Sequence, residues 1–269
     1  MLLKINAEKI WAGLVRIREE APLIHNITNY VVMNPTANAL LALGASPVMA
    51  HALEEVAEMV QIAGALVINI GTLSEPWVKA MHKAAVRARE LKIPLVLDPV
   101  GAGATPYRTR TLHRLLAAAK PDIIRGNASE IRALVVEGAT TKGVDSSAAS
   151  EEVVGAAQTL SRDHRCTVCV SGAVDYIVSG ERVLRVLNGD PLMTRVTGMG
   201  CSASAFCGAF AAAGSPPWLA AAQAMAIMGI AGEKAAEKAA GPGSLQVYFL
   251  DALHNLTREQ VDAALRIER

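Results

Sequence analysis

The sequence predicts an α/β fold: a mostly parallel central sheet between two helical layers, closed at one edge by antiparallel ribbons. Three observations predict it. Short runs of Val, Ile and Leu alternate with longer stretches of helical periodicity through the first half of the chain. Those runs are continuously apolar, the pattern of strands covered on both faces. After Cys166 the pattern changes to short β-rich segments separated by glycine-containing pairs.

Residues 22–24, 47–49, 65–70, 94–98 and 123–125 read as strands, and residues 75–91, 107–119 and 129–137 as amphipathic helices. Such alternation joins parallel strands through right-handed crossovers and puts helices on both faces. Asn34-Pro35 reads as the N-cap and first-turn proline of a helix ending near Gly44. Residues 167–170, 176–178 and 182–187, split by Gly172-Ala173 and Ser179-Gly180, read as antiparallel ribbons at a sheet edge. Helices fill the C-terminal third. The polar stretch 138–150 reads as a loop too short for an interdomain linker. With no internal repeat, residues 1–269 are read as a single domain.

Composition excludes several functions. Lysine plus arginine number 26 against 25 acidic residues, a net charge of +1, which fits neither a polybasic nucleic-acid surface nor an acidic disordered tail. Aromatic residues make up only 4%, so a bound ring is expected to rest on apolar and backbone contacts rather than in a stacking cage. The high hydrophobic share, 52%, owes much to alanine, which favours closely packed helices. The apolar stretches 203–213 and 218–232 read as core helices and not membrane spans, the first being too short and the second holding Gln223. Met1-Leu2-Leu3-Lys4-Ile5-Asn6 lacks the apolar core of a signal peptide. Cys166, Cys169, Cys201 and Cys207 are too scattered for a disulfide scaffold, so a reducing cytoplasm is expected.

In open parallel sheets ligands bind beyond the carboxyl ends of the strands. Five polar segments fall there: His25-Asn26-Ile27-Thr28-Asn29, Gly71-Thr72, Asp98-Pro99-Val100-Gly101-Ala102-Gly103, Arg125-Gly126-Asn127-Ala128-Ser129-Glu130 and Thr197-Gly198-Met199-Gly200-Cys201. The last opens an apolar helix at 202–213. Its two glycines let successive N–H groups and the positive helix end face one point, an anion hole suited to phosphate, although a lone Gly-x-Gly is also an ordinary tight turn. Read through Ala203 it matches a dinucleotide fingerprint, but the first acid after Ala203 is Glu233, too far along for the ribose contact. The Walker pattern is absent. Asp98 and Glu130 suit a Mg²⁺ ion held largely through water and phosphate oxygens, while Glu130 is equally what a helix dipole favours. Arg125 offers fork donors for phosphate. Cys201, at a helix N-terminus, is expected to have a lowered thiol pKa. Cys166-x-x-Cys169 is read as packing, because strand alternation sends residues three apart to opposite faces and no second Cys/His pair is spaced for zinc.

Taken together, the run from His25-Asn26-Ile27-Thr28-Asn29 through Thr36-Ala37-Asn38, Gly44-Ala45-Ser46-Pro47-Val48-Met49 and the Asp98, Arg125 and Gly198 segments resemble the hydroxyethylthiazole kinase family. The resemblance extends over nearly the whole chain, to Gly241-Pro242-Gly243 and Phe249-Leu250-Asp251-Ala252-Leu253. It implies a ribokinase-like three-layer αβα sandwich and phosphorylation of 4-methyl-5-(2-hydroxyethyl)thiazole with ATP and Mg²⁺, a thiamine salvage step. It also implies a homotrimer with thiazole sites between subunits. Met49 and Gly198, with Asn29 and Gly71, would contact the thiazole. Arg125, Ser171, Asn127 and Gly200 would hold ATP, and Asp98 and Glu130 the metal. Cys201 stands where most ribokinase-like enzymes carry an aspartate base. Met199 departs from the resemblance, which leads one to expect a smaller residue or threonine. The alternatives are a pyrimidine- or pyridoxal-type alcohol kinase of the same fold, a nicotinamide-dependent oxidoreductase and a non-enzymatic assembly subunit.

Overall fold

The computed structural model describes residues 5–135 and 148–269. Helix α1 (Ala7–Glu20) is capped by Asn6, whose side chain accepts the Lys9 N–H, and it turns Ile10, Leu14 and Ile17 to the core at helical spacing. There follow β1 (Leu23–Ile27), α2 (Met33–Leu43), β2 (Ser46–Val48), α3 (Val56–Ile62), β3 (Ala65–Asn69) and α4 (Glu75–Leu91). Next come β4 (Leu95–Asp98), α5 (Pro106–Ala118), β5 (Ile123–Asn127), α6 (Ala128–Ala133) and α7 (Ala148–His164). Strands β6 (Thr167–Ser171), β7 (Asp175–Ser179) and β8 (Arg182–Val186) precede a 3-10 turn at Pro191–Arg195. The chain closes with α8 (Met199–Ala212), α9 (Pro217–Ala236), α10 (Pro242–Asn255), α11 (Arg258–Ala264) and β9 (Ile267–Glu268).

Among the described residues the strands form one sheet in the order β2-β1-β3-β4-β5-β6-β7-β8-β9. Strands β1 to β6 pair in parallel, and β7, β8 and β9 add antiparallel at the far edge. Side-chain alternation divides the core in two. Leu66, Ile68, Leu95 and Leu97 pack with α3 to α7, while Ala65, Val67 and Val96 pack with α1, α2 and α8 to α11. The predicted α/β sandwich, parallel with an antiparallel edge, is therefore present. Cys166 and Cys169 lie in opposite cores, as the period of two requires.

Alanine and glycine set how close the helices come. Helix α8 lies against the sheet, and a Cβ on Gly208 would stand 2.8 Å from Val67 Cγ2. Only glycine permits that approach without a shift. Most alanines of α8 and α9 are buried. Among the described residues no helix is long and apolar enough to cross a membrane.

Several elements differ from expectation. Helices α1, α3 and α7 lie where no helix is expected from the sequence: α3 is too short for its periodicity to register and α7 mixes charged residues with small or scattered apolar ones, whereas α1 does carry its apolar residues at helical spacing. The helix expected over 129–137 ends at Ala133, with Leu134 as C-cap; positions 136 and 137 lie outside the described residues. Most of the loop expected at 138–150 is also outside them, and its last three residues begin α7. Asn34 does not cap α2, which starts after Val32; its Oδ1 instead accepts Nδ2 of Asn38 at 3.1 Å. Strand β2 is only half-buried, because it is the sheet edge and lacks a neighbour on one side.

Candidate active site

The carboxyl ends of β1, β3, β4 and β5 meet the start of α8. Asn69 and Asp98 face each other across the β3–β4 pairing, and both are buried. Asp98 Oδ2 accepts Asn69 Nδ2 at 2.7 Å and Ser204 Oγ, from α8, at 2.8 Å. Asn69 Oδ1 accepts Gly71 N at 2.9 Å and Asn29 Nδ2 at 3.0 Å. Asn29 Nδ2 also lies 3.6 Å from Cys201 Sγ. A Cβ on Gly71 would come 2.6 Å from Asn29 Nδ2, so the turn after β3 must be glycine to let its N–H reach Asn69. Asn29, Gly71, Asp98 and Cys201 are thus joined in one network.

Helix α8 begins at Met199, with Gly198 as N-cap in the left-handed region at φ 85°. Its first backbone bond runs from Ser202 N to Gly198 O, which leaves the N–H groups of Met199, Gly200 and Cys201 without intrahelical acceptors. Arg125, in the middle of β5, donates to Ser171 Oγ and lies beside Gly200. These residues line one end of a cleft of about 720 Å³. Its apolar part is formed by Met193, Met199, Ala203, Met225 and Met228. Four methionines make an adaptable surface for a flat ring. Met199, the departure between the two glycines, is part of that wall.

Glu130 is the N3 residue of a capping box with Asn127. Its Oε2 accepts Asn127 N at 2.8 Å and its Oε1 accepts Gly101 N at 2.9 Å, tying the β4 and β5 loops together. The structural and functional readings of Glu130 are therefore compatible, since a carboxylate oxygen bound once keeps acceptor capacity. Asp98 Oδ1 is buried with no hydrogen-bond partner among the described residues. Two carboxylates, one with an unused oxygen, fit the oxygen chemistry of Mg²⁺. Among the described residues no group of three His, Cys, Asp or Glu side chains could hold a metal.

Burial raises Asp98 to a pKa of about 6, with Glu130 adding to the rise and Arg125, Ser204 and Asn69 opposing it. Burial also pushes Asp175, which lines the cleft, up to about 7. The expected lowering at Cys201 is overturned. Burial, and then the nearby Asp98 charge, raise its thiol to about 11, outweighing hydrogen bonds from Asn69 and Asn29. The helix end acts through a turn of exposed N–H groups, whereas desolvation acts on the whole thiolate.

Met49 lies just past β2, at the same end of the sheet but at its edge, and it does not line the cleft. The low aromatic content hides a local cluster: Trp77 lies 4.7 Å from Tyr30 and 4.5 Å from His51, between ring centroids, beside Asn29. Asn69, Ser204, Asp175 and three of the cleft methionines, Met193, Met225 and Met228, were not singled out from the sequence. For Asn69 a signal existed, a carboxamide inside the apolar run Leu66-Val67-Ile68-Asn69-Ile70, where a buried amide has to find partners.

This sheet order is that of a ribokinase-like α/β fold, and it carries a helix N-terminus, an arginine and two carboxylates at its carboxyl end. A ribokinase-like superfamily protein from Enterococcus faecalis shares the fold at a TM-score of 0.64 and 12% identity, covering 97% of this chain and 92% of that one. The family model for the hydroxyethylthiazole kinase family matches residues 14–259, and the chain belongs to that family. A hydroxyethylthiazole kinase of Syntrophus aciditrophicus is 62% identical over 266 residues, 98% of each chain. The structure of a hydroxyethylthiazole kinase protein from Pyrococcus horikoshii superposes with a TM-score of 0.89 at 46% identity, covering 97% of this chain and 98% of that one.

Proposed function

We propose that this chain transfers the γ-phosphoryl group of ATP to the primary hydroxyl of 4-methyl-5-(2-hydroxyethyl)thiazole, a thiamine salvage step. The observation that carries this reading is the first turn of α8, where N–H groups without intrahelical acceptors precede Cys201 and where Arg125 lies beside Gly200 in the wall of the methionine-lined cleft. Adenine lies against the methionines, and Arg125 with Ser171 and Gly200 takes the phosphates; Asn127 shapes that side by capping α6.

Phosphoryl transfer demands positioning and charge stabilisation more than a strong base. The N–H groups of residues 199–201 face the transferring group and offset its charge. Asp98 and Glu130 would hold Mg²⁺, which when bound neutralises charge on the polyphosphate. Cys201 remains a neutral thiol near pH 7 and so orients the acceptor hydroxyl rather than stripping its proton. The thiazole lies on the other side of Cys201, against Asn29, Gly71, Gly198 and Met49. Tyr30 and Val31, which follow Asn29, are 65% and 66% exposed, and apolar residues so exposed beside a site favour cover by a second subunit. A cytoplasmic homotrimer of single-domain subunits, with the thiazole between them, accommodates this.

Assays with ATP and Mg²⁺ and a panel of thiazole, pyrimidine and pyridoxal alcohols test the reading. The thiazole alcohol should give the highest kcat/KM. Preference for either of the others overturns the substrate, and thermal protection by NAD⁺ but not ATP overturns the reaction.

A further inference from the structure

Asn69 belongs to none of the groups assigned above, yet it bonds to both sides of the site. Its orientation is set by chemistry. The Gly71 backbone N–H can only donate, so the atom 2.9 Å from it is the carboxamide oxygen, and the nitrogen must face Asp98. Asn29 is fixed the same way. The Val31 N–H donates to Asn29 Oδ1 at 3.1 Å, which turns Nδ2 toward Asn69 Oδ1 and Cys201 Sγ. Every hydrogen bond from the turn after β3 to Cys201 therefore has one permitted polarity.

We propose that Asn69 is a positioning residue that couples the two halves of the reaction. Its Nδ2, with Ser204, occupies Asp98 Oδ2 and presents the other oxygen on the phosphate side, while its Oδ1 holds Asn29 and Gly71 on the acceptor side. Both arms belong to one rigid, planar carboxamide that is 1% exposed, so neither can shift alone. Cys201 Sγ receives a hydrogen bond from Asn29, which leaves its own proton free to face the acceptor oxygen. A 1 Å misplacement of such groups is enough to lose much of the rate.

The inference rests on the proposed kinase reaction, and wild-type turnover of the thiazole alcohol tests that reading separately. Given turnover, two variants divide the arms. Asn69→Asp keeps an oxygen toward Gly71 and Asn29 but replaces the donor to Asp98, so kcat should fall by about tenfold or more with the acceptor KM within about threefold. Asn69→Ala breaks both arms, so kcat should fall and the acceptor KM should also rise by about tenfold. A purely structural role lowers melting temperature and active fraction but leaves both constants per active site unchanged, and that result overturns the proposal. So does an Asn69→Ala variant that loses kcat with an unchanged acceptor KM. If Asn69→Ala does not fold, Asn69→Asp and Ser204→Ala decide: both should lower kcat and spare the acceptor KM, and kcat within about twofold of wild type in both overturns the proposal.

Discussion

Arg125 and Gly200 lie so close that a Cβ on Gly200 would stand 2.7 Å from Arg125 Nη1. Arg125 has no room to retreat, being 8% exposed and bonded to Ser171. The second glycine of the α8 motif thus makes space for a guanidinium as well as for a turn. Gly200→Ala should push Arg125 off Ser171 and raise the ATP KM by about tenfold, through loss of charge-assisted bonds to phosphate. Steady-state kinetics with ATP varied checks this, and an unchanged KM would remove Arg125 from the nucleotide site.

Cys201 is a neutral thiol because burial and the Asp98 charge raise its pKa to about 11. Cys201→Ala should lower kcat by about tenfold or more, since the acceptor hydroxyl loses its orienting partner. Activity within about twofold of wild type would end its role in the reaction. Cys201→Asp should retain turnover, because a carboxylate there can accept the hydroxyl proton.

Asp175 carries a pH signature. Burial raises its pKa from 3.8 to about 7, against the Gly172 N–H and Arg125, which favour the charged form. Between those values the native protein holds a proton that the unfolded chain has lost, so the Asp175 contribution to stability falls as pH rises from about 4 to about 7. Asp175→Asn keeps an acceptor for the Gly172 N–H without the buried charge. Its melting temperature should match wild type near pH 4 and exceed it by about 3 °C or more at pH 8. Parallel melting curves across that range would show that Asp175 is not the group responsible.

Arg108 ties two site loops together. Its Nη1 donates to Ile70 O and Val100 O at 2.6 and 2.8 Å, and its Nη2 to Gly71 O at 2.9 Å. Arg108→Met should cost about 2–4 kcal/mol, as three charge-assisted bonds to carbonyls are lost. It should also raise the acceptor KM, because Gly71 is released. Denaturant unfolding and acceptor kinetics measure the two effects; a stability change with no kinetic one would detach this clamp from the site.

Much of the site was legible because its signals are local. Asp98 ends one apolar strand and Glu130 follows another, and Gly198-Met199-Gly200-Cys201 marks a helix start within four residues. Asn69 and Ser204 were not, because each depends on what lies across a strand pairing or on another helix. The thiol pKa at Cys201 was misread for a related reason: the helix end is a local cause, whereas desolvation depends on everything packed around it.

The sequence by itself determined the class of fold and the family, and pointed to the end of the sheet where the candidate site lies, because periodicity, strand-end polarity and glycine pairs are written along the chain. Only the tertiary structure decided which groups touch. It set α8 against β3 through Gly208, directed Asn69 toward both Asp98 and Asn29, packed Arg125 against Gly200 and raised the Cys201 thiol. Burial and hydrogen-bond polarity belong to atoms brought together from distant positions, and no pattern along one chain carries them.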